Sequence, residues 1–157
     1  MTTTPKPRRL PAAGPRDGLA LVVRRQFSAT PERVFDAWTQ ADQLTQWWGP
    51  ARVTCPQAEV DLRVGGSYRI ANRLPDGGLI LIVGEFVRIE RPTLLVYSWL
   101  LEPGNGEKSL VTVRFVAHGA DTALTISHSR IGSTETRDDH ARGWSGCLDG
   151  LAGFLQA

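Results

Sequence analysis

Three histidines, two cysteines and five tryptophans carry most of the chemical potential of this 157-residue chain. A histidine near neutral pH serves as a general base or a metal ligand. His128 falls on the apolar face of a strand pattern, where it is either a hydrogen-bonded core residue or a base turned into a cavity. His140 lies in a helical pattern beside Asp139. Neighbouring helical residues point about 100° apart, so these two do not form an acid–base pair with each other. His118 sits in a turn pattern, so a site joining His118, His128 and His140 would draw on a turn, a strand and a helix start, and no metal is expected. Cys55 and Cys147 have neither metal-ligand spacing nor a neighbouring base, and read as free, buried thiols. No nucleophile elbow, phosphate loop, dinucleotide fingerprint or H-E-x-x-H helix is present. No catalytic residue and no cofactor are therefore assigned.

The aromatic residues point to binding instead. Trp47 and Trp48 end a short helical pattern, so one is expected to plug the core and the other to face a ligand or solvent. Tyr68 and Trp99 occupy inward strand positions, and Trp144 lies on the apolar stripe of a long helix. Aromatic rings offer a large apolar contact with a polar tip, which suits the wall of a ligand pocket. Together with His128 and His140 they form the expected cavity wall: Trp47, Trp48, Tyr68, Trp99, His128, His140 and Trp144. Plain core filling is the competing reading of each. Arg63 is read as a brace for its own turn.

These side chains need elements to place them. Leu19–Phe27 reads as a first strand. Thr30 is a candidate N-cap, with Pro31 at the first helical position, where its missing N–H is harmless. Val34, Phe35 and Trp38 follow at helical spacing, and a second short helix is expected over about 41–47, ended by Gly49-Pro50. From Val53 the period changes to that of strands. Six are expected over 53–62, 67–73, 79–89, 94–101, 110–117 and 122–129, joined by Gly-, Pro- and Asp-rich turns such as Pro75-Asp76-Gly77-Gly78. A last helix is expected over about 134–155, capped by Ser133 or Thr134. It carries Trp144, Cys147, Leu148, Leu151, Phe154 and Leu155 in one stripe. Gly143, Gly146, Gly150 and Gly153 weaken that helix by up to ~1 kcal/mol each, and are read as places where a sheet comes close.

Short connections make the sheet mainly antiparallel, and the long helix is the only element large enough to cover its inner face. The fold class is thus α+β: a curved sheet wrapped around a C-terminal helix, with two short helices after the first strand. Residues 19–157 form the expected single domain. Residues 1–18 read as a disordered, basic, Pro-rich tail, because it holds four prolines, four basic residues and one acidic residue. The rest of the chain is close to neutral, which argues against a nucleic-acid partner. No stretch is apolar for the ~18 residues that a membrane span needs. The N-terminal stretch has no apolar core of a secretory leader, and a cytoplasmic location is expected.

Three runs carry a resemblance: Thr30-Pro31-Glu32-Arg33-Val34-Phe35-Asp36-Ala37-Trp38, then Trp47-Trp48-Gly49-Pro50, then Asp61-Leu62-Arg63-Val64-Gly65-Gly66. With Gly84-Glu85, His128 and Gly143-Trp144 they resemble the START-like (SRPBCC) superfamily, and most of all its branch related to the C-terminal domain of the activator of heat-shock protein 90 ATPase. The resemblance implies a helix-grip fold with a hydrophobic cavity. It implies a small hydrophobic or amphipathic ligand, such as a lipid, polyketide or aromatic metabolite. The first alternative is a co-chaperone-like protein of the stress response with a chaperone partner, and behind it stands a cyclase-like enzyme, for which His128 or His140 is the candidate base. Edge strands of an incomplete barrel are also able to pair two copies into a homodimer.

Overall fold

Antiparallel pairing of strand β1 (Leu19–Phe27) with the last strand, β7 (Asp121–Ile131), ties the start of the domain to its end. The structure is a computed structural model and describes residues 18–156. Except for Gly18, the tail expected over 1–18 lies outside the described residues, as does Ala157.

After β1 come helices α1 (Pro31–Thr39) and α2 (Ala41–Trp47). Strands β2 (Thr54–Val60), β3 (Ser67–Arg73), β4 (Leu79–Glu90), β5 (Leu94–Glu102) and β6 (Ser109–His118) lead to β7, and helix α3 (Thr134–Gln156) follows. All seven strands form one antiparallel sheet in the order β1-β7-β6-β5-β4-β3-β2. This is the expected α+β helix-grip architecture. Strands β4 to β7 run one or two residues past their expected ends, into polar residues such as Ser109, His118 and Glu102, whereas β2 is shorter than the expected 53–62.

Local chemistry explains the elements. Thr30 accepts a hydrogen bond from the Arg33 amide (3.3 Å) and Pro31 opens α1, a cap worth about 1 kcal/mol. Ser133, rather than Thr134, caps α3 by accepting from the Thr136 amide at 3.1 Å. Pro56 lies in β2, and β2 is an edge strand, where a missing N–H is tolerated. The β3–β4 turn closes through Leu74 N–H to Gly78 O at 2.8 Å, with Gly77 at φ +89°. Arg63 reaches back to Asp61 at 3.0 Å and braces its turn, both side chains exposed.

Period-two burial gives the sheet its inner face. Leu95, Tyr97 and Trp99 of β5, Val111, Val113 and Phe115 of β6, and Leu124, Ile126 and His128 of β7 are all buried. Val34, Phe35 and Trp38 of α1 and Trp144, Leu148 and Leu151 of α3 pack on that face. Each large apolar side chain removed from water contributes about 1.5–3 kcal/mol.

Candidate functional site

Strand register sets three of the site's side chains in one row. Trp99 of β5 is the direct partner of Ser109 on β6. His128 of β7 is the partner of Val111, two residues along from Ser109, so Ser109 and His128 are diagonal neighbours on the same face. From the other side, His140 and Trp144 of α3 project together at i, i+4 spacing. The two sets meet. His128 and His140 stack with ring centroids 4.6 Å apart and planes 14° from parallel. Trp99 lies 5.1 Å from His128, 5.7 Å from His140 and 5.3 Å from Trp144.

A hydrogen-bond relay runs through this cluster. The Trp144 indole N–H donates to His128 Nδ1 at 3.0 Å, and His128 Nε2 lies 2.7 Å from Ser109 Oγ. Burial, with a smaller contribution from neighbouring His140, pushes the His128 pKa down to about 3, so the ring is neutral. An indole nitrogen only donates, so Nδ1 is the acceptor and the single ring proton sits on Nε2. His128 therefore donates to Ser109. The Ser109–His128 contact has the length of a nucleophile–base pair but the opposite proton polarity, and His128 in this tautomer cannot take the serine proton. Burial also lowers the His140 pKa, partly offset by the carboxylates of Asp139 and Glu107.

Two clefts open beside the relay. One, of about 170 Å³, is walled by Trp48, Asn72, Ile82, Trp99, His140 and Trp144, with Cys147 at its edge. The other, of about 230 Å³, is bordered by Trp99, Leu101, Glu107, Ser109, Thr136 and His140. Trp99, Leu101 and His140 belong to both. The first cleft is mainly apolar, and three of the residues that line it each hold a polar atom buried without a hydrogen-bond partner among the described residues: Trp48 Nε1, Asn72 Oδ1 and Trp99 Nε1. Buried polar groups are nearly always paired, so three orphans among the residues of one cleft are unusual.

The seven expected wall residues thus divide. Trp48, Trp99, His140 and Trp144 line the first cleft. His128 is fully buried and lines neither cleft; it touches them through the residues it contacts, Ser109, His140 and Trp144. Trp47 lines neither cleft: its N–H donates to Ala37 O at 2.9 Å, making it the plug and Trp48 the cleft residue. Tyr68 faces a separate void of about 20 Å³ with Trp38 and Tyr97, space for about one water molecule. Its O–H donates to Ser98 O at 2.6 Å, and burial raises its pKa well above the usual range.

Sequence reasoning missed Ser109, Asn72 and Trp38. Trp38 is the hub of the aromatic cluster, within 5.2–6.3 Å of Trp47, Trp48, Phe115 and Trp144. Asn72 left a signal, since asparagine is depleted inside strands. His118 stays apart: it lies seven residues along β6 from the His128 level, about 23 Å at strand rise. Among the described residues no three His, Cys, Asp or Glu side chains are grouped to hold a metal ion.

The profile of the family described as "Activator of Hsp90 ATPase homolog 1-like protein" matches residues 28–156. The chain belongs to this AHSA1-like family, a branch of the START-like superfamily. A protein of Chromobacterium violaceum has the same fold, with a TM-score of 0.81 and 23% identity over 88% of this chain and 97% of the other. The AHSA1 protein of Silicibacter pomeroyi gives 0.76 and 25% over 88% and 98%. CalU16 of Micromonospora echinospora gives 0.69 and 25% over 87% and 75%. No curated protein matches the chain. Among the described residues of this AHSA1-like domain, no helix is long and apolar enough to cross a membrane.

Proposed function

We propose that this AHSA1-like domain binds a small hydrophobic or amphipathic molecule in the cleft between β3–β5 and the Asp139–Cys147 stretch of α3. The observation that carries this reading is a mainly apolar cleft of about 170 Å³ walled by Trp48, Trp99, His140 and Trp144, three of whose lining residues, Trp48, Asn72 and Trp99, hold a buried polar atom without a partner. A pocket that is largely apolar with a few convergent polar groups is the usual form of a small-molecule site. A thermal-shift screen of apolar and aromatic compounds, followed by native mass spectrometry of the hits, tests it. Hits should raise the melting temperature, form one-to-one adducts and lose at least ~10-fold in affinity in Trp99→Phe. A screen without a shift or adduct would overturn the reading.

A second reading is an interaction protein acting on a chaperone. The family description favours it. So do Leu62 and Val64, exposed on the β2–β3 loop, and exposed Val87 on β4, which that loop joins through Gly65 N–H to Phe86 O at 2.8 Å. Titration with the cell's own Hsp90-type chaperone tests it, and no association at micromolar concentration would count against it.

A further inference from the structure

The relay has a direction, and the direction constrains what the clefts recognise. Trp144 donates to His128 Nδ1, so His128 donates from Nε2 to Ser109 Oγ. The hydroxyl proton of Ser109 then has no acceptor in the relay, because the nitrogen it faces already carries a hydrogen. Among the described residues the Ser109 side chain makes no other hydrogen bond. Ser109 is only 5% exposed and borders the 230 Å³ cleft. A buried hydroxyl in this position has its proton free to donate to what fills that cleft. Trp99, 7% exposed and shared by both clefts, adds a second unsatisfied donor, its indole N–H.

Charge narrows the partner. Glu107 and Asp139 border the two clefts, and no Lys or Arg is among the residues that line either. An anionic ligand would be opposed by those carboxylates and would meet no cation. Shape narrows it further. The walls are the faces and edges of Trp48, Trp99, His140 and Trp144, which favour a flat aromatic body.

We propose that the two adjacent clefts, which share Trp99, Leu101 and His140, together hold a neutral, flat aromatic ligand carrying a carbonyl oxygen, and that the Ser109 hydroxyl donates to that oxygen. This rests on the clefts being the ligand site. Trp144 and His128 are positioning residues: they aim the serine proton and do not touch the ligand oxygen themselves.

Two matched pairs of probes test the proposal: 9-fluorenone against fluorene, and 1-indanone against indane. Within each pair the carbon skeleton is kept and a CH₂ replaces the carbonyl. Affinity is read by tryptophan quenching, and the carbonyl stretch of the bound ketone by infrared difference spectroscopy. In the wild-type protein at least one ketone should bind about 10-fold or more tightly than its hydrocarbon, with its carbonyl stretch below the value in hexane. Ser109→Ala should reduce the preference at least about threefold and move the stretch back upward, while Ser109→Thr retains both. Equal binding of ketone and hydrocarbon, or an unshifted carbonyl stretch in the wild-type complex, would overturn the donor assignment and leave the cleft as an apolar site. An unchanged preference in folded Ser109→Ala would do the same. Failure of all four probes to bind would overturn this proposal together with the cleft reading on which it rests. The infrared measurement on the wild-type complex decides the question even if Ser109→Ala does not fold.

Discussion

Trp144 on α3 and His128 on β7 are joined by a 3.0 Å hydrogen bond in which the indole N–H donates to Nδ1. The contact locks helix to sheet and also fixes where the histidine proton resides. His128 is expected to be the neutral Nε2–H tautomer, which ¹⁵N-resolved NMR of the imidazole distinguishes directly. Trp144→Phe keeps an aromatic ring but removes the donor, and should let the Nδ1–H tautomer become populated. A wild-type ring protonated on Nδ1 would contradict the assignment.

The same burial makes stability depend on pH. The folded-state pKa of His128, about 3, lies below its ordinary 6.5, chiefly through desolvation and secondarily through His140. The unfolded chain therefore takes up the proton first as the pH falls. The stability linked to His128 is complete above about pH 6.5 and is lost on acidification toward pH 3, with a slope approaching ~1.4 kcal/mol per pH unit. His140, also lowered by burial, adds to the slope in the same direction. Urea midpoints between pH 7.5 and 4.5 read this window before most carboxylates titrate. His128→Gln should flatten the curve.

Much of the fold was legible because burial alternates cleanly. Leu95, Tyr97 and Trp99 declare the inner face of β5, and Val111, Val113 and Phe115 that of β6. Thr30-Pro31 announces the start of α1. The site was less legible, since composition does not say which inward aromatic ends at an opening. Trp47 and Trp48 are the same residue type, and only the hydrogen bond to Ala37 O turns one into a plug. Tyr68 and Trp99 both point inward, but the rings of Phe86 and Tyr97 pack against Tyr68 beside its own small void. Ser109 fell between the strands expected over 94–101 and 110–117, and only the β5–β6 register brings it opposite Trp99.

Tyr97 is the buried partner of another tryptophan. The Trp38 indole N–H donates to the Tyr97 hydroxyl at 3.2 Å, and burial keeps that hydroxyl protonated by raising its pKa. Tyr97→Phe preserves the ring and strands the Trp38 donor in the aromatic core. The expected cost is about 1–3 kcal/mol in unfolding free energy, the price of an orphaned buried donor. Chemical denaturation should show a lower midpoint with an unchanged slope.

The glycines of α3 give a test with opposite signs on one helix. Sequence reasoning took them as the place where the sheet comes close, but the close neighbours are the end of α2 and its following loop. A Cβ on Gly150 would lie 2.5 Å from Trp47 O, and one on Gly146 would lie 2.6 Å from Pro50 Cβ. Backbone and a proline ring cannot swing aside, so the clash outweighs the gain in helix propensity. A Cβ on Gly153 would meet nothing within 4 Å. Gly153→Ala should therefore stabilise the domain by about 0.5–1 kcal/mol. Gly150→Ala should destabilise it, by about 1–3 kcal/mol if it behaves like other overpacked sites. Gly150→Ala should also displace Trp47 and, through it, Trp48, which lies 5.3 Å away. Thermal unfolding of the two variants measures the signs, and tryptophan emission the displacement. Equal and positive changes in both would mean that the α2–α3 contact is looser than these distances require.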